Sequence, residues 1–259
     1  MTISFAQLAE QTKTRSPEIP ESWKQGRTAY GGLSAALMLT QARNAHPDLP
    51  ELRSTLVNFT GPVTDAPDLT TEVLRRGRNV TTLFSRAEIE GKTVCTSTFS
   101  LGAARDSHLD IDCPAPHAGA PESHELFFPE DSPFVPGFTR NFETRLIEGS
   151  RPMSGGTSGR LRCWSRHKDP ASRDGEASLL CIADILPPAA FTIMKQLGPV
   201  SSMTWICNFL RKPETRDGWY HVEANLTAAL DGYSSQVMRI WNTEGQLIVE
   251  GMQSITIFA

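Results

Sequence analysis

An apolar helix followed by a run of strands occurs twice along these 259 residues. That repetition limits the architectures open to the chain more than any other feature. In the first copy, residues 5–10 predict a short helix and residues 32–45 a longer one. Leu33, Ala36, Leu37, Leu39 and Ala42 are apolar there, Arg43 is the single charge, and Gly31-Gly32 stands at the front. A helix with so little polar surface belongs in the interior. Strands are predicted at 52–63, 69–76, 80–90 and 93–102, with Gly77 and Glu90-Gly91 as turn signals.

Periodicity weakens from 103 to 159, where Pro114, Pro116, Pro121, Pro129, Pro133, Pro136 and Pro152 punctuate the chain. This reads as a linker crossing the molecule, ending in a strand at 142–148 and a Gly/Ser loop at 154–159. The pattern then returns. A strand is predicted at 161–167 and a buried helix at roughly 177–196, interrupted by Pro187-Pro188. Proline is tolerated in a first turn, so the true start of that helix is placed at or just before the prolines. Strands follow at 200–211, 220–230, 233–241 and 247–258. Phe59 and Phe209 lie 150 residues apart, Gly77 and Gly232 155, and Glu90-Gly91 and Glu244-Gly245 154. The expected division is a first unit at 1–102, a Pro-rich linker at 103–137 and a second unit at 138–259.

Each copy is an α+β unit, a sheet wrapped around a helix. One such unit leaves an apolar edge and face open. Two side by side can form one continuous sheet about a pseudo-two-fold axis, which covers the edges where they join.

Composition excludes several classes. Net charge is −4, and Lys and Arg are scattered, so no basic patch signals nucleic acid. No apolar run is long enough for a membrane-spanning helix. Residues 1–14 lack the basic and apolar regions of a signal peptide. Without such a signal, the glycosylation patterns at Asn58, Asn79 and Asn225 are read as chance matches. Five cysteines (Cys95, Cys113, Cys163, Cys181 and Cys207), none spaced Cys-x-x-Cys, indicate reduced thiols in a cytoplasmic setting.

The common catalytic signatures are absent: no Gly-x-Ser-x-Gly elbow, no phosphate-binding glycine loop, no zinc spacing. The nearest metal candidates, Asp110, Asp112, Cys113 and His117, sit in the Pro-rich linker and read as a solvated loop. No metal and no cofactor is expected. Two polar residues stand out. Asp184 lies in the apolar run Cys181-Ile182-Ala183-Asp184-Ile185-Leu186. It reads either as an N-cap for the helix containing the prolines or as a general base whose pKa is set by burial. Gln253, in the closing strand, reads by alternation as outward-facing, or else as an amide that orients a water. Between them, Ser201-Ser202-Met203-Thr204-Trp205 opens a strand, and strand period places Ser202 and Thr204 on one face. A hydroxyl there could complete a water-binding trio or simply pack on the sheet.

Several segments resemble the TesB-like double-hotdog acyl-CoA thioesterases: Tyr30-Gly31-Gly32 before an apolar helix, Phe142-Glu143-Thr144-Arg145 with Trp164-Ser165-Arg166, Ala183-Asp184, Thr204-Trp205 through Phe209-Leu210-Arg211, and Glu250-Gly251-Met252-Gln253. The resemblance runs from about residue 23 to 258. It implies a double hotdog and hydrolysis of acyl-CoA or carrier-bound acyl thioesters, without a cofactor. The family's Asp, Ser/Thr and Gln, which together hold the attacking water, fall on Asp184, Ser202 and Gln253, with Ser201 or Thr204 as alternatives to Ser202. Tyr30, Gly31, Gly32, Thr204 and Trp205 would contact substrate, with amides near Gly31-Gly32 or at the front of the second helix polarising the carbonyl. Phe191, Ile193, Met194, Met203, Trp205 and Met238 are candidates either for an acyl slot or for plain core. Family members often pair further, so a homo-oligomer is open.

Two other readings compete. A hotdog dehydratase or cyclase acting on a polyketide-like substrate would need a His paired with a carboxylate, and His167 and His221 offer no clear pair. A non-catalytic acyl-binding protein of the same fold would bind acyl-CoA and hydrolyse nothing.

Overall fold

The computed structural model describes residues 3–129, 135–152, 154–196 and 198–258. Pro133 and the rest of 130–134 lie outside the described residues. In order, the elements are α1 (Phe5–Gln11), β1 (Lys24–Gln25), β2 (Thr28–Ala29), α2 (Gly31–Ala45), β3 (Leu52–Phe59), β4 (Asp68–Arg76), β5 (Val80–Ile89) and β6 (Lys92–Gly102). After the linker come β7 (Phe142–Gly149), β8 (Arg160–His167), α3 (Glu176–Ala183), β9 (Val200–Phe209), β10 (Tyr220–Leu230), β11 (Tyr233–Trp241) and β12 (Leu247–Ile257).

Ten strands form one antiparallel sheet in the order β4-β5-β6-β3-β9-β12-β11-β10-β8-β7. The halves join where β3 pairs β9, and Leu56 lies opposite Ile206 in that register. These two residues are 150 apart, the same separation as Phe59 and Phe209, so the pseudo-two-fold axis passes between them. Joining the units in this way removes one exposed strand edge from each. The architecture is the double hotdog that the resemblance implies. The repeated turns differ in detail: Glu90 and Gly91 both have positive φ, whereas of Glu244-Gly245 only the glycine does.

The helices lie inside the sheet. Leu33 to Leu39 and Ala42 of α2 are buried, as are Leu179 to Ala183 of α3, and both join one hydrophobic core with the inner sheet face. The two helices pack together antiparallel and are tied at both ends. Glu176, in the first turn of α3, pairs with Arg43, in the last turn of α2, and accepts the Leu52 N–H at 2.6 Å. At the other end, the Tyr30 hydroxyl donates to the carbonyl of Cys181 at 2.8 Å. That carbonyl belongs to the last turn of α3, which has no intrahelical donors left to offer it. Gly32 lets the helices approach this closely: a Cβ there would sit 2.5 Å from the Cys181 carbonyl oxygen.

The short β1 and β2 have no counterpart in the sequence expectation and β3 stops at Phe59 rather than residue 63, but the largest departure from that expectation is the second helix. The second helix ends at Ala183, and beyond Pro187-Pro188 there is only a 3-10 turn at Ala189–Thr192. Its N-cap is Gly175, and Asp184 is its C-cap. Each proline disfavours a helical conformation in the residue before it and has no N–H to donate. Two in succession therefore end a helix here rather than begin one. The expected N-cap role of Asp184 on its own helix is accordingly wrong.

Candidate active site

The end of α3, the start of α2 and the inner face of β9, β11 and β12 converge on Asp184. Its Oδ1 accepts a hydrogen bond from Gln253 Nε2 at 2.9 Å, and the same nitrogen donates to Ser202 Oγ at 3.0 Å. The Gly32 N–H, in the first turn of α2, favours the ionised carboxylate. Thus Asp184 does cap a helix, but it caps the N-terminus of the other half's helix, where a negative charge is stabilised. Gly31 leaves room for it: a Cβ there would meet Asp184 Oδ2 at 2.7 Å and the Phe59 ring at 3.1 Å.

Burial dominates the electrostatics. It raises Asp184 from 3.8 to about 7, against the opposing effects of the Gln253 amide and the Gly32 N–H. The titratable neighbours Tyr30, Cys181 and Cys207 are pushed up by burial and stay neutral near that pH. A carboxylate poised near neutrality, with both other members of a polar trio in reach, can accept a proton from water.

Sequence reasoning and geometry meet differently at each residue. Gln253 faces inward and is buried, which corrects the outward reading. It is in phase with Val249, Gly251 and Ile255, all inward, while the apolar Met252 that confuses the alternation is half exposed. Ser202 reaches the trio only through a β-bulge. Ser254 lies opposite Thr204 and Ile255 opposite Ser202, so Met203 is an extra residue in β9. Ser202 and Thr204 therefore do not share a face: Ser202 points to Gln253 and Thr204 is exposed outside. Ser201 is exposed as well.

Tyr30 is enclosed, stacked on Phe138 at 4.1 Å between ring centroids and edge-on to Phe142, its hydroxyl committed to Cys181. Trp205 is wholly buried opposite Gln253, its Nε1 without a hydrogen-bond partner among the described residues. Of the slot candidates, Met238 lies in the core, Phe191, Met194 and Met203 are partly buried, and Ile193 is exposed. One residue was missed: Gln236, in β11 directly opposite Gln253, donates to Gln253 Oε1 at 2.9 Å. Its only sequence signal is phase, an amide in step with the inward Ser234, Met238 and Ile240. Among the described residues no group of three His, Cys, Asp or Glu is arranged to hold a metal.

The comparisons with known proteins decide the family. A model described as the acyl-CoA thioesterase C-terminal domain matches residues 112–257, and its N-terminal counterpart matches residues 19–102. The chain belongs to the acyl-CoA thioesterase family. It is a thioesterase, of a family that acts on acyl-CoA thioesters. No curated protein matches it. Among solved structures, a conserved protein of unknown function with a hot dog fold from Alicyclobacillus acidocaldarius is 22% identical, with a TM-score of 0.87. That match covers 100% of this chain and 99% of the other. The tesB protein of Mycobacterium avium subs paratuberculosis is 18% identical, covers 97% and 98%, and has a TM-score of 0.74. An acyl-CoA thioesterase II from Mycobacterium marinum is 17% identical, covers 97% and 98%, and has a TM-score of 0.73. At these identities the structural likenesses show the fold. No helix among the described residues is long and apolar enough to cross a membrane.

Proposed function

We propose that this thioesterase hydrolyses an acyl-CoA or carrier-bound acyl thioester to free acid and thiol, with Asp184 as general base. The observation that carries the reading is the single Gln253 amide nitrogen that ties Asp184 Oδ1 to Ser202 Oγ. A water in reach of both groups would give one proton to Asp184 while its oxygen bonds to the thioester carbonyl carbon. The C–S bond then breaks, and the departing thiolate takes up the proton that Asp184 received. A thioester is already activated, so a positioned water suffices and no covalent nucleophile is needed. The first-turn N–H of Gly31, free of an intrahelical acceptor, would polarise the carbonyl oxygen. Partly buried Phe191, Met194 and Met203 would offer the acyl chain apolar surface.

A dehydratase reading finds less support. His167 stacks on Phe5 and faces the Ser178 carbonyl, while His221 lies between Trp164 and Trp241 with its Nε2 accepting from Arg162. Burial lowers both, to about 4 and about 3.

A panel of acyl-CoAs, read by release of free thiol, tests the proposal. Wild type is expected to hydrolyse at least one class, with free acid as product. Asp184→Asn is expected to lower kcat on the order of 10²- to 10⁴-fold. Unchanged turnover in Asp184→Asn contradicts the mechanism, and binding of acyl-CoA without any hydrolysis contradicts the reaction.

A further inference from the structure

We propose that Gln236 is a positioning residue that dictates which end of the Gln253 amide faces Asp184 and Ser202. The inference rests on the reading of Asp184 as the base. An amide has a donor end and an acceptor end of nearly the same shape, so packing alone does not choose between them. A backbone N–H, by contrast, can only donate. Ala189, the first residue after Pro187-Pro188, donates its N–H to Gln236 Oε1 at 2.8 Å. That contact turns Gln236 Nε2 toward Gln253, whose Oε1 accepts it at 2.9 Å. Gln253 is then left with its donor end toward Asp184 and Ser202.

Gln236 and Gln253 are 1% and 3% exposed, so bulk water does not compensate a reversed amide. Reversal of Gln253 alone would set two donors against each other at Gln236 and an oxygen against the Asp184 carboxylate. The direction of the relay is thus set at one end by the Ala189 N–H, just past Pro187-Pro188, and agrees at the other with the ionised Asp184, which can only accept. The groups facing Gln236 are Gln253 from β12, Leu226 from β10 and the Ala189 peptide, with no charge among them. Those facing Asp184 besides Gln253 and Gly32 are Tyr30, Cys181 and Cys207, all held neutral by burial.

Two variants test the relay. Gln236→Met removes the donor to Gln253 and is expected to lower kcat roughly 10- to 100-fold with little change in KM. Gln236→Glu is nearly isosteric. Its neutral acid still donates to Gln253 Oε1, whereas its ionised form only accepts and turns the Gln253 nitrogen away from Asp184. The rising pH profile of wild type should therefore become bell-shaped in Gln236→Glu. A second readout does not depend on catalysis: the Asp184 carboxyl followed by ¹³C NMR, assigned by its absence in Asp184→Asn. Its midpoint should move up in Gln236→Met, because the Gln253 amide is no longer held with its donor end toward the carboxylate.

If Asp184→Asn leaves turnover unchanged while that midpoint still moves, the relay stands and the hydrolytic role of Asp184 fails. If both folded variants keep the wild-type midpoint, kcat and profile shape, the relay is overturned. Should Gln236→Met not fold, the isosteric Gln236→Glu decides by its profile and midpoint alone.

Discussion

Ser202 shows how a side chain can be chemically legible and geometrically hidden. A hydroxyl near the start of β9 could be anticipated, but regular alternation pairs Ser202 with Thr204 and the bulge at Met203 separates them. Three hydroxyls therefore make a discriminating test. Ser202→Ala should lower kcat roughly 10- to 100-fold, while Ser201→Ala and Thr204→Ala, both on exposed side chains, should leave it within about twofold. Steady-state kinetics on the best acyl-CoA checks this, and a large loss in Thr204→Ala would contradict the register described here. Asp184 was legible because a lone carboxylate in an apolar run must find partners or neutralise. Gln236 was not, because an amide amid Ser and Met carries no such signal without knowledge of what lies across the strand.

At the scale of elements, the site is a product of how two helices meet. The end of α3 and the start of α2 exchange caps, with the Tyr30 hydroxyl going to the Cys181 carbonyl and the Asp184 carboxylate to the first turn of α2. The sequence placed α2 to within a residue and misplaced α3, because Ala189 to Gln196 continues an apolar pattern that two prolines interrupt. Apolar periodicity favours a longer helix, but the two missing N–H donors at Pro187-Pro188 prevent it. The glycines at the junction have separable tasks. Gly31→Ala drives a methyl into Asp184 Oδ2 and Phe59, and should reduce kcat on the order of 10²-fold by displacing the carboxylate. Gly32→Ala drives a methyl into a backbone carbonyl that cannot rotate away, and should destabilise by about 1–3 kcal/mol. Kinetics and urea denaturation on both variants distinguish the two effects; equal behaviour of the pair would contradict the division.

For the whole molecule, duplication has built one site rather than two. The first half contributes the N-terminus of α2 and Phe59. The second contributes Asp184, Ser202, Gln236 and Gln253. Sequence offsets were enough to reveal the repeat and to point to one continuous sheet about a pseudo-two-fold axis, because turn residues and inward phenylalanines are tied to backbone geometry; only the β3–β9 register places that axis near Leu56 and Ile206. The asymmetry that puts the polar trio in one half was only partly visible, since it depends on contacts across the axis. With β3 paired to β9 and α2 packed on α3, the halves should unfold together. Tryptophan fluorescence and far-UV circular dichroism should report coincident urea transitions, and two separated transitions would contradict a shared core. The central claim is that a buried Asp184, raised to about 7, must be ionised to activate water. Its ionised form grows as pH rises, so kcat/KM for an acyl-CoA should climb with a limb centred near that value. The pH dependence of kcat/KM tests this most directly: a rise levelling above about pH 7, lost in Asp184→Asn, is the predicted result, and a profile flat from about pH 5 to 8 in wild type would contradict it.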